Sequence, residues 1–163
     1  MTAIATKKAA IDDLAVNDLA AGSCASQNNN TSDRNVIAVS ISSAEFFVFE
    51  RTADVVIVRV RGEVDICSAE SLRDFVCTLG DDGIDVVIDL SQVQFFGTAG
   101  LAAFTGMERV TRLNGSNWAI VGGRPVRRML RAVGQEDLFP CFDAPDAAIT
   151  DLRERRALGA RSC

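Results

Sequence analysis

Apolar and polar positions along this chain sort into segments of two different periods. Phe46 to Glu50 reads as a short strand, and Thr52 and Ala53 turn the chain into Asp54 to Arg61. There Val56, Val58 and Val60 alternate with Ile57, Arg59 and Arg61, the pattern of a strand with one mostly apolar face. A hairpin ended by Gly62 is expected. Ser68 then precedes Leu72, Phe75, Val76 and Leu79, which recur at helical spacing and stop at Gly80, so a capped helix should cover one face of the sheet.

Val86, Val87, Ile88 and Leu90 form an apolar run broken only by Asp89, as expected of a central strand buried on both faces. Ser91 to Gly100 is expected to be a loop leading into a helix over Leu101 to Leu113. In that helix Leu101, Phe104, Met107 or Glu108, and Val110 share a face, and Asn114-Gly115 supplies the stop. Trp118 to Val121 reads as another strand, Pro125 opens a helix running through Val133 with Gly134 beyond it, and Leu138 to Phe142 reads as a last short strand. Pro145 to Arg156 reads as a terminal helix. Two strands followed by alternating helix and strand predict an α/β domain, a mixed four- to five-stranded sheet with about four helices packed on it.

The beginning of the chain differs. Ser23 to Asn35 is polar, low in complexity and without a hydrophobic period, and Ile11, Leu14, Ala15 and Leu19 make too short a helical pattern to stand alone in water. Residues 1–44 are therefore expected to be a flexible leader and polar linker, 45–156 the folded domain and 157–163 a C-terminal tail.

With 163 residues, 48% of them hydrophobic, the chain can fill one core. A net charge of -5 argues against a general affinity for nucleic-acid phosphates or anionic lipid and points to a protein partner. No run approaches the length of a membrane span and the first ten residues lack a signal-peptide apolar core, so a cytoplasmic protein is expected. Cys24, Cys67, Cys77, Cys141 and Cys163 are odd in number and make no CxxC pair, and the chain has no histidine, which leaves no common metal site. Buried thiols are the expectation, with a redox pair among Cys67, Cys77 and Cys141 as the alternative. The absence of histidine, of a Walker loop, of a GxSxG elbow and of a cysteine with a base nearby argues against an enzyme, and no cofactor is expected. Arg124, Arg127, Arg128 and Arg131 are read as a solvated helix face whose spacing permits pairing with carboxylates.

One segment carries more. Asp89-Leu-Ser-Gln-Val-Gln-Phe-Phe-Gly-Thr-Ala-Gly100 resembles the D-L-S-x-V-x-F-x-D-S-x-G signature of STAS domains. Gly62-Glu-Val-Asp65 is similar to that family's G-E-L-D turn, Pro125-Val-Arg-Arg-Met-Leu130 to its third helix, and Gly134 with Leu138-Phe139-Pro140 to its closing segment. The resemblance spans roughly residues 46 to 155, with the motifs in order. It implies a compact mixed sheet and, for single-domain members, an anti-sigma factor antagonist that binds an anti-sigma factor acting also as a serine kinase, so freeing a sigma factor. In such members the kinase phosphorylates the residue after the signature aspartate and a serine phosphatase reverses it. Here that residue is Thr98, and Gly97 stands at the aspartate position. By the same resemblance the partner-binding residues are Gly62, Glu63, Asp65, Phe96, Gly97, Thr98, Ala99, Gly100 and Leu101. A non-phosphorylated STAS binding or scaffold module of a stress-signalling complex is the alternative.

Thr98 lies where a strand's exit loop meets a helix start, so its hydroxyl could cap free backbone N–H groups, or those donors could hold a phosphate. Small Gly97, Ala99 and Gly100 would let a second protein approach closely. Asp65 is read either as a cap near Ser68 or as a partner contact. Of Phe95 and Phe96, alternation puts one ring in the core and the other near the surface, without saying which.

Overall fold

The computed structural model describes residues 38–41, 43–80 and 83–160. The leader's apolar positions, Cys24 and Cys163 lie outside these residues. Strands β1 (Ala38–Ile41), β2 (Ala44–Arg51), β3 (Val55–Val64), β4 (Asp85–Phe96), β5 (Trp118–Gly122) and β6 (Cys141–Phe142) form one sheet in chain order. β1, β2 and β3 pair antiparallel, and β3 through β6 are parallel. Helices α1 (Ala69–Leu79), α2 (Thr98–Asn114) and α3 (Arg124–Ala132) connect the parallel strands, and α4 (Pro145–Ala160) follows β6.

The sheet is mixed, as expected, but has six strands where four to five were expected. The additional strand is β1, which falls inside the range read as linker. Its Val39 and Ile41 pack on the core while Ala38 and Ser40 alternate with them. Four residues flanked by a polar tract give too short an alternation to stand out.

The period-two pattern divides the sheet cleanly between two layers. Val56, Val58 and Val60 of β3, Val86, Ile88 and Leu90 of β4, and Trp118 and Ile120 of β5 join Leu72 and Val76 of α1, Phe104 and Met107 of α2 and Val126 and Leu130 of α3 in one cluster. Val55, Ile57, Val87, Ala119 and Val121 face the other way, against Ala148 and Leu152 of α4. The apolar run in β4 is thus continuous because both its faces are covered. Phe104 centres an aromatic group, with ring centroids 5.1 Å from Phe96, 5.3 Å from Trp118 and 5.5 Å from Phe139. Met107 is buried, whereas Glu108 is exposed and its carboxylate accepts the Trp118 indole N–H at 2.8 Å, resolving the choice left open by helical spacing.

Two expected boundaries move. β3 does not end at Gly62 but continues to Val64, and position 62 requires glycine twice over, for its φ of +90° and because a Cβ there would stand 2.4 Å from the Ser43 carbonyl oxygen. β4 runs on through Phe96, so Ser91 to Phe96 is strand and not loop. Irregular pairing with β3 after Asp89 breaks the simple alternation that would have marked it.

Asp89, first residue of the signature segment, is buried and has a structural task. It accepts a bond from Arg59 Nε at 3.0 Å and one from the Ser91 amide at 3.0 Å. The Arg59 guanidinium in turn lies 3.6 Å above the centroid of the Phe49 ring. A buried carboxylate so paired fixes the last regular rung between β3 and β4 before the irregular stretch that leads to the loop.

Candidate functional site

The candidate site is built from the exits of two neighbouring parallel strands. Glu63 pairs with Phe95 and Val64 with Phe96, so β3 and β4 end side by side. The Gly97 amide donates to the Val64 carbonyl at 2.9 Å, which ties the loop before α2 to the loop before α1. Gly97 is the N-cap of α2, and Thr98 is its first helical residue. Gly97 thus takes the N-cap position considered for Thr98, no side chain caps the helix, and the Thr98 side chain is left exposed. The first turn of α2 carries no acidic residue. An anion at Thr98 would sit at the positive end of the helix with no like charge in that turn.

The neighbouring loop is organised by Asp65. Its Oδ1 accepts from the Cys67 amide at 2.9 Å, the Ser68 amide at 3.0 Å and the Ser43 hydroxyl at 3.2 Å. Ser68 Oγ, 2.8 Å from the Glu63 carbonyl, donates to it and accepts from the Asp65 amide at 3.0 Å. Ser68 makes no side-chain cap to α1; Asp65 draws the chain into the helix instead. Desolvation pushes the Asp65 carboxyl up, but the bonds from the Ser68 and Cys67 amides and from the Ser43 hydroxyl outweigh it and hold the group below its usual 3.8. Among the described residues these bonds all fall on Oδ1.

The structure separates the two phenylalanines. Phe96 is only 3% exposed and packs against Phe104, whereas Phe95 is 50% exposed. Phe96, expected among the partner-facing residues, is a core residue; the exposed ring is that of Phe95. Gly100 is likewise buried, and its lack of a side chain serves the interior: a Cβ there would stand 2.4 Å from Phe96 Cζ. Ala99 and Leu101 are half-buried and rest on the core cluster. Glu63 and Thr98 are exposed, and Gly62, Asp65 and Gly97 are partly so. Ile66, 85% exposed beside Asp65, was missed; its signal was an apolar residue in a turn with no period to bury it.

The remaining candidates fall away from this loop pair. Arg127 bonds Asp143 at 2.7 Å and Arg131 bonds Glu136 at 3.2 Å, both carboxylates lying beyond the helix and not at its three- or four-residue spacing. Cys67 is exposed, contrary to the expectation of buried thiols, because it lies in the turn before α1. Burial raises the pKa of the half-buried Cys141 thiol, the opposite of what a reactive thiolate needs. No group of metal-ligating side chains occurs among the described residues, nor does any described helix have the length and apolarity to cross a membrane.

The site thus consists of a mixed sheet whose parallel strands end beside an exposed hydroxyl at a helix start, with the neighbouring loop held by an internal carboxylate. Residues 47–148 match the STAS domain family, and the chain belongs to that family. The anti-sigma-F factor antagonist RsfB of Mycobacterium tuberculosis is 26% identical over 103 residues, covering 63% of this chain and 84% of that protein. Osmosensory protein A of the same species is 28% identical over 102 residues, covering 60% of this chain and 65% of that protein. Among solved structures, an anti-sigma factor antagonist from Mycobacterium paratuberculosis aligns with a TM-score of 0.57 at 30% identity, over 71% of this chain and 99% of that one.

Proposed function

We propose that this chain is an anti-sigma factor antagonist of the cytoplasm. It binds an anti-sigma factor that is also a serine/threonine kinase and so releases a sigma factor, and phosphorylation of Thr98 ends the binding until a phosphatase removes the group. The observation that carries this reading is the exposed Thr98 at the first position of α2, on a loop bonded through Gly97 to the exit of β3.

The chemistry of the switch follows from that placement. A phosphoryl group adds roughly -1.5 to -2 charge and new acceptor oxygens. Within this protein the helix start tolerates it. On a closed interface the same dianion must be desolvated or meet like charge, which costs a few kcal/mol and lowers affinity by orders of magnitude. The switch acts through the partner's preference and requires no refolding. Gly97 in place of the motif's aspartate favours a second reading, a binding or scaffold module that is not phosphorylated, since no carboxylate directly precedes the acceptor in the chain.

The test is to incubate the full chain with Mg-ATP and each kinase-type anti-sigma factor of the same genome, map the phosphorylated residue by mass spectrometry and follow sigma-factor release. Phosphate on Thr98, with loss of binding in the modified form, supports the switch. Binding and sigma release without modification leave the scaffold reading.

A further inference from the structure

The outer face of α2 is one continuous stripe that starts at Thr98. With about 100° between successive residues, Thr98, Ala102, Thr105, Arg109 and Arg112 fall within roughly 80° of one another around the helix. All five are exposed, while Gly100, Ala103, Phe104, Met107 and Thr111 make the buried side. The stripe carries no carboxylate; Glu108, to one side of it, accepts the Trp118 indole N–H. Neither Arg109 nor Arg112 has a carboxylate within ion-pair distance among the described residues, whereas Arg73, Arg127, Arg131 and Arg153 each pair with one. In a chain of net charge -5, two unpaired guanidinium groups thus share the helix face that begins at the proposed phosphoacceptor.

Helix stability accounts for only one of them. The dipole favours a cation in the last turn, where Arg112 lies, but Arg109 stands a turn earlier. Between Thr98 and the arginines the stripe bears only the short side chains of Ala102 and Thr105, so a protein seated on Thr98 can lie along the helix as far as Arg109 and Arg112. These stand roughly 16 and 21 Å from Thr98 along the axis, within the reach of a standard interface, which covers ~800 Å² of each partner in a patch about 30 Å across. Carboxylates occupy the opposite side of Thr98: Glu63 is exposed and Asp65 partly so at the exit of β3, which the Gly97–Val64 hydrogen bond ties to the start of α2. The surface around Thr98 is therefore polar in the electrical sense, acidic at the strand exit and basic towards the end of α2.

We propose that Arg109 and Arg112 extend the docking surface along α2 and meet an acidic patch on the anti-sigma factor. The partner then carries carboxylates roughly 16 to 21 Å from the place where it receives Thr98. Opposite charges at the two ends of the footprint draw the partner in and fix its orientation, since docking the other way round would oppose like charges. An anti-sigma factor with a basic surface at that distance is rejected by the same pair of arginines. This inference rests on the antagonist reading and adds the chemistry of the partner's surface.

The experiment is stopped-flow association of the full chain with each purified anti-sigma factor of the same genome, at about 50 and about 500 mM salt. The variants are Arg109→Gln, Arg109→Glu, the double variant Arg109→Glu with Arg112→Glu, and Arg51→Glu. Arg51 is exposed at the end of β2, paired with Val56 near the start of β3, and controls for the change in net charge alone. At low salt Arg109→Glu is expected to slow association about threefold or more, the double variant further, and Arg51→Glu not at all; at high salt the differences shrink as the charges are screened. Arg109→Gln, expected to slow it about twofold, carries the test should glutamate late in α2 disturb the helix. Association of the Arg109 variants at the wild-type rate or faster, an equal effect of Arg51→Glu, or a deficit that persists at high salt overturns the inference and leaves the antagonist reading standing. Failure of the wild type to bind any of these proteins overturns both.

Discussion

The backbone of Gly100 passes so closely beneath the Phe96 ring that a Cβ at position 100 would stand 2.4 Å from Cζ and 2.6 Å from Cε2. Two effects oppose each other when alanine replaces this glycine. Helix propensity favours alanine by about 1 kcal/mol. The overlap, however, lies far inside contact distance, and the Phe96 ring is backed by Phe104 at a centroid separation of 5.1 Å, so it has little room to move. Overpacking wins, and Gly100→Ala is expected to destabilise the fold by a net ~1–2 kcal/mol. Chemical denaturation at equilibrium measures it; an unchanged or raised midpoint would show that the ring yields freely.

A second pairing decides how α4 is held. Arg156 donates from Nε to Asp85 Oδ2 at 3.0 Å and from its terminal nitrogen to Oδ1 at 2.7 Å, while the Asn117 amide donates to the same Oδ1 at 2.7 Å. The Asp85 side chain is 1% exposed but that of Arg156 is 43% exposed, so water screens the pair from one side. Removing the guanidinium with Arg156→Ala leaves a buried carboxylate with the Asn117 bonds alone. The expected cost is about 1–3 kcal/mol, below that of a fully buried pair. Arg156→Lys should recover only part of it, because an ammonium cannot span both oxygens in the planar bidentate geometry. Equal stabilities of the alanine variant and the wild type would show the bridge to be ornamental.

Elements with strong period were legible in the sequence, and those defined by pairing were not. The valines of β3 and the apolar stripe of α1 read directly because side-chain direction follows backbone period. β1 escaped because four residues beside a polar tract become a strand only through β2, against which Val39 pairs with Phe46. The extension of β4 to Phe96 escaped because its register with β3 slips after Asp89, and that slip decides which of two adjacent phenylalanines faces the core. Thr98, Gly97 and Asp65 were legible through their motifs. What each does was not, since the motif cannot say that Asp65 serves three donors from its own loop and its neighbour, or that Gly100 is needed by Phe96.

Asp65 gives a pH prediction. Its folded pKa lies below the usual 3.8, so its contribution is fully present above about pH 4 and is lost as pH falls through the lower folded value. The amide resonances of Cys67 and Ser68, which donate to it, should titrate together with a midpoint below 3.8, and Asp65→Asn should abolish that titration. A midpoint above 3.8 would mean that desolvation outweighs the hydrogen bonds, reversing the balance derived from the geometry.

Thr98→Glu separates docking from folding. Thr98 is exposed at the first position of α2, and no acidic residue occupies the first turn. A carboxylate placed there faces the free amides at the positive end of the helix, a position worth about 0.3–1 kcal/mol to a negative charge. The variant is therefore expected to unfold at a denaturant concentration equal to or slightly above that of the wild type, and to lose that advantage at high salt as the charge is screened. In the complex proposed above the same carboxylate would have to be desolvated at the interface, so binding should weaken by about tenfold or more while Thr98→Ala binds as the wild type does. The contrast between the two readouts is what matters. If Thr98→Glu destabilised the fold as much as it weakened binding, Thr98 would be a structural residue of the helix start; a gain in stability with a loss of binding places its effect at the interface.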